Sequence, residues 1–102
     1  MKIAYVAGPY RTDTTDGIKA NIEAAAQVAI KYWKQGYAVI CPHKNTALFD
    51  GILPDQCWLD GCIALLSKCD TIVMMSNWRE SSGAKAEHEF ATANRIDIIY
   101  DE

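Results

Sequence analysis

A chain of 102 residues, half of them hydrophobic and with a net charge of −3, is expected to form one soluble domain over residues 1–102. Its ten Lys and Arg are scattered and outnumbered by thirteen Asp and Glu, which excludes duplex nucleic acid as an expected partner. No apolar run is long enough to span a bilayer, and MKIAYVAG is too brief for a signal peptide, so a cytoplasmic protein with no membrane partner is expected.

Lys2 to Ala7 (KIAYVA) reads as the first strand, ended by Gly8-Pro9, which stops pairing and turns the chain. The polar loop from Tyr10 to Gly17 is too long to be a mere connector. A helix is expected from about Ile18 to Gln35, capped by Thr15 or Asp16 and stopped by Gly36. Its apolar face is Ile18, Ile22, Ala25, Ala26, Ala29 and Trp33. Tyr37 to Cys41 (YAVIC) reads as the second strand, closed by Pro42. Residues 43–54 form another polar loop with room for a helical turn. Asp55 to about Lys68 follows as a helix that turns Trp58, Leu59, Cys62, Ile63, Leu66 and Cys69 inward. Cys41, Cys57, Cys62 and Cys69 form no C-x-x-C pair, so free thiols are expected, with no metal site and no cofactor.

The stretch DTIVMMSNWRESSGAKAEHEFA, from Asp70 to Ala91, carries the most information. Thr71 to Met75 has the length of a strand covered on both faces. Ser81 or Ser82 can cap the helix that follows, and Gly83 admits a ligand to its first turn, where free N–H groups suit an anion. Gly83, Ala84, Glu87, Phe90, Ala91 and Asn94 share one side of that helix. A carboxylate thus sits in an apolar stripe, where Glu is rare without a partner or a task. Asp97 to Tyr100 closes the chain as a last strand.

The order β-α-β-α-β-α-β with short apolar strands argues for an α/β domain of flavodoxin or Rossmann-like type, three layers deep. Right-handed crossovers favour a parallel four-stranded sheet in the order 2-1-3-4, with a ligand crevice at the carboxyl ends of strands 1 and 3. Gly8-Pro9-Tyr10-Arg11 and Ser76-Asn77-Trp78-Arg79 occupy those ends, and Glu87 can point between them.

Three segments carry a family likeness: A-G-P-Y-R after the first strand, G-Y-x-V-I-C-P-H after the first helix, and C-D-T-I-V-x-x-x-x-W-x-x-S-x-G-A-x-x-E-x-x-x-A near the end. Together they resemble the nucleoside 2-deoxyribosyltransferase superfamily, nearest to its short, phage-type members without an assigned activity. The 2′-deoxynucleoside 5′-phosphate N-hydrolases are similar too. The resemblance implies cleavage or transfer of the N-glycosidic bond of a deoxynucleoside or its 5′-monophosphate, with Glu87 as nucleophile. It places Ser82, Gly83, Gly8 and Arg11 at phosphate or sugar, and it implies a homodimer or larger homo-oligomer. The chemistry fits, since a carboxylate meets the charge that develops at C1′ and an acid helps the base depart.

The family's second carboxylate, an Asp in the helix before strand 3, falls on Cys62 here. Asp60 is the nearest acid, about 200° round the helix, and is taken as the candidate second catalytic residue. Asp70 lies at the wrong end of its strand and is expected to be structural. Pro9, His43, Asn77, Trp78 and Arg79 are further substrate-binding candidates because their loops lie at the crevice end of the sheet, and the Tyr10 hydroxyl is placed to orient Glu87. A non-catalytic nucleotide-binding or sensing module is the rival reading, and a scaffold without a ligand the third.

Overall fold

The structure is a computed structural model and describes residues 1–101. Strand β1 (Ile3–Ala7) leads into helix α1 (Thr15–Lys34), then β2 (Ala38–Ile40), the short α2 (Pro42–Asn45), α3 (Asp55–Leu66) and β3 (Thr71–Met74). A 3-10 turn at Trp78–Glu80 precedes α4 (Ser82–Ala93), and β4 (Asp97–Tyr100) follows as the last strand of the sheet. All pairings are parallel and the sheet order is β2-β1-β3-β4, the arrangement expected of an α/β flavodoxin or Rossmann-like fold. Tyr5 stands beside Ile72 and Ala7 beside Met74, so the carboxyl ends of β1 and β3 lie together.

Alternation along β1 divides the core. Tyr5 and Ala7 point to one face of the sheet and pack with Leu66 of α3 and with Ala84 and Ala91 of α4. Ala4 and Val6 point to the other, against Ala25, Ala29 and Tyr32 of α1. β1 and β3 are covered on both sides, which is why neither shows an apolar-polar rhythm.

Two expectations about α1 are corrected. Its cap is Thr14, whose hydroxyl accepts from the Gly17 amide at 3.0 Å, so the helix begins before Ile18. Its buried stripe is Ile22, Ala25, Ala29 and Tyr32, while Trp33 is exposed. The spacing of three, four and three residues keeps to one side, and Trp33 lies a further 100° or so round. Tyr32 can be buried because its hydroxyl donates to Asp101 at 3.0 Å. The stop at Gly36 stands as read, with φ +98°. Asp70 is structural as expected, but it accepts from the Ile3 amide at 2.7 Å and anchors the start of β1 rather than its own turn. All four cysteines are free.

Gly8 leaves β1 against the buried side chain of Met75. A Cβ there would stand 2.9 Å from Met75 Cβ and Cγ and closer still to its sulfur. Gly8→Ala should therefore lower stability by about 1–3 kcal/mol, read as an earlier urea midpoint, because the neighbour is packed on all sides.

Candidate functional site

A cleft of about 500 Å³ opens where the sheet order reverses, between the turn after β1, the segment from α2 into α3, and the start of α4. Of the residues singled out from the sequence, Gly8, Pro9, Tyr10, Arg11, His43, Ser82, Gly83 and Glu87 line it. Glu80, Ser81, Asp50, Asp55, Trp58, Leu59 and Cys62 complete much of the wall.

Glu87 is buried on α4, with 8 % of its surface exposed, and its Oε2 accepts a hydrogen bond from the Tyr5 hydroxyl on β1. Among the described residues it forms no ion pair. Burial pushes its carboxyl up from the ordinary 4.5 to about 7, while the Tyr5 hydroxyl acts in the opposite direction. Burial and the neighbouring Glu87 hold the Tyr5 phenol far above its usual range, so it stays a donor. Burial also raises the Cys62 thiol; the Tyr5 hydroxyl lowers it and the charge of Glu87 raises it. The outcome is a carboxyl group poised to change protonation near neutrality, at the floor of an open cleft.

The start of α4 is built as its sequence implied, with the choice of cap resolved. Ser81 is the cap, its Oγ accepting from the Ala84 amide at 3.1 Å, and Ser82 is the exposed first residue of the helix. Ser81→Ala should cost about 1 kcal/mol and Ser82→Ala close to nothing, as chemical denaturation of the two variants would show.

His43 opens the segment after β2 and is buried, its Nε2–H donating to the Pro9 carbonyl at 2.8 Å. Burial lowers its pKa against the opposing pull of the Pro9 and Gly8 backbone, which leaves a neutral ring with an unpartnered, buried Nδ1. Its visible task is to hold the Gly8-Pro9 turn, which the Asn21 side chain also steadies by donating to the Tyr10 carbonyl at 3.0 Å.

Five residues are not where the sequence reading expected them. Tyr10 does not reach Glu87; its hydroxyl donates to Asp50 at 2.7 Å and accepts from the Leu48 amide at 2.9 Å. Asp60 faces solvent outside the cleft and accepts from Gln56 at 2.8 Å, because α3 turns Cys62, not Asp60, toward the sheet. Trp78 and Arg79 line a separate hollow of about 150 Å³ with Tyr100 and Asp101. Trp78 stacks on His88 at 4.3 Å and Arg79 lies over its ring, since the 3-10 turn carries both toward the β4 side. Asn77 lines neither space.

Sequence reasoning misses Tyr5, Asp50 and Asp55. A tyrosine in a strand covered on both faces must find a partner for its hydroxyl, and that is the available signal for Tyr5. Asp50 and Asp55 carry no local signal. Both bind Arg11, at 3.2 and 2.5 Å.

No helix among the described residues is long and apolar enough to cross a membrane. No curated protein matches the chain. A family model described as a domain of unknown function (DUF4406) matches residues 1–100, and the chain belongs to that family.

Proposed function

We propose that the protein cleaves or transfers the N-glycosidic bond of a deoxynucleoside or deoxynucleoside 5′-monophosphate, with Glu87 as nucleophile. The observation that carries this reading is a buried glutamate lining a nucleoside-sized cleft, paired with a strand tyrosine and balanced near neutrality. The sequence likeness to the deoxyribosyltransferase superfamily, strongest at S-G-A-x-x-E-x-x-x-A, supports the same residue.

In the first step an ionised Glu87 oxygen bonds to C1′ as the C1′–N bond breaks, and its electron pair leaves with the base, which takes a proton from water. Water then displaces the carboxylate to complete hydrolysis; a second base in its place completes transfer. The Tyr5 hydroxyl fixes which Glu87 oxygen is free to attack. Cys62 stands where the superfamily has its second acid, and a thiol held protonated is a weak proton donor. Bases that leave easily are therefore the favoured substrates. A homodimer or larger assembly belongs to this reading, in keeping with the exposed Ile52 and Leu53 and with the exposed Phe49 at the cleft, and sedimentation would measure it.

Incubation with a panel of deoxynucleosides and their monophosphates, with and without a second free base, tests the proposal by chromatography of released or exchanged base. Neither release nor exchange from any member would overturn it. Cys62 in place of an acid favours one other reading, a non-catalytic nucleotide binder, and binding without base release would establish that instead.

A further inference from the structure

The turn after β1 ends in Arg11, the only Lys or Arg among the described residues that lines the cleft. Its two terminal nitrogens are already engaged, Nη1 with Asp50 at 3.2 Å and Nη2 with Asp55 at 2.5 Å. Asp50 is held from a second side by the Tyr10 hydroxyl at 2.7 Å, and the same hydroxyl accepts from Leu48, whose φ of 60° is unusual for a branched side chain. The loop from Thr46 to Pro54 is thus tied down onto the turn by a connected set of bonds, not by one surface ion pair. Around it the wall carries Asp50, Asp55 and Glu80, with Glu87 at the floor. Four acids face one arginine that is already neutralised.

We infer that this latch of Arg11, Asp50 and Asp55 keeps 5′-phosphates out of the cleft, so that the uncharged nucleoside is the substrate class. The inference rests on the proposed function and decides between the two substrates left open there. A phosphate dianion entering the cleft shares it with Asp50, Asp55 and Glu80, or displaces both aspartates from Arg11 and leaves their charges uncompensated beside it. An uncharged sugar meets neither penalty.

Calorimetric titration of the wild type and of the double variant D50N/D55N tests this, with 2′-deoxyadenosine, thymidine, their 5′-monophosphates and inorganic phosphate as probes. The amide oxygen introduced by Asp50→Asn can still accept from the Tyr10 hydroxyl, so the loop keeps its tie. Should the double variant melt, Asp55→Asn alone serves, because the Asp55 side chain is exposed and its bond is to Arg11. The wild type should bind a nucleoside at least about tenfold more tightly than its monophosphate and give no heat with inorganic phosphate. The variant should gain about tenfold or more for monophosphate and acquire phosphate binding, with nucleoside affinity changed by less than about threefold. A wild type that prefers monophosphate, or a variant that gains nothing for phosphate, overturns the latch. If the variant acquires phosphate binding while no nucleoside binds either protein, the latch stands and the glycosidic reading falls.

Discussion

Glu87→Gln should lower base release by about 10³-fold or more, because the amide keeps shape and hydrogen bonding but cannot form the bond to C1′. The same change should make the protein more stable in alkaline solution. Folding raises the Glu87 pKa from 4.5 to about 7. Its favourable contribution is therefore fully present below pH 4.5, where both states are protonated, and is lost as pH rises through about 7. That span is worth about 3 kcal/mol, less what the amide loses through an unpaired N–H. Urea titrations at about pH 4.5 and about pH 8 should show wild type and variant alike at the first and the variant ahead at the second. A variant less stable at the higher pH would mean that the charge of Glu87 is held by a partner and is structural. In the wild type, base release should rise with pH through about 7, as the nucleophile ionises.

Tyr5→Phe should move that rising limb to higher pH, by about one pH unit or more, because the hydroxyl that favours the charged carboxylate is gone. Turnover at neutral pH should fall about tenfold and largely recover at about pH 9. Stability at about pH 8 should drop by about 2 kcal/mol, since a buried carboxylate oxygen loses the Tyr5 donor. A rate that falls at every pH with the limb unmoved would mean that Tyr5 acts on the substrate and not through Glu87.

Much of the molecule is legible in its sequence. Pro9 ends strand pairing because it has no N–H to donate, and Gly36 ends a helix because it adopts the left-handed φ of +98° at little cost, and such local rules hold without help from the rest of the fold. Boundaries move where a side chain competes locally: Thr14 caps α1 ahead of Thr15 because its hydroxyl reaches the Gly17 amide. Apolar spacing in the sequence puts Trp33 at the end of the buried stripe, whereas in the fold the stripe ends on Tyr32, whose hydroxyl finds Asp101.

By itself the sequence determined the alternation of strands and helices, the 2-1-3-4 parallel sheet, and the convergence of Gly8 and Glu87 on one crevice. Short apolar strands joined by helices leave few right-handed arrangements, and that limited set includes the observed one. It also singled out Glu87, since a carboxylate in an apolar stripe breaks a local rule. Only the tertiary structure decided that Tyr5 holds Glu87 across 82 residues, and that Arg11 is committed to Asp50 and Asp55, 39 and 44 residues away. It alone removed Asp60, Trp78 and Arg79 from the cleft. Those outcomes depend on the path of a loop and the direction of a side chain, which no periodicity records, because a hydrogen bond or ion pair forms between whatever groups the folded backbone brings within about 3 Å.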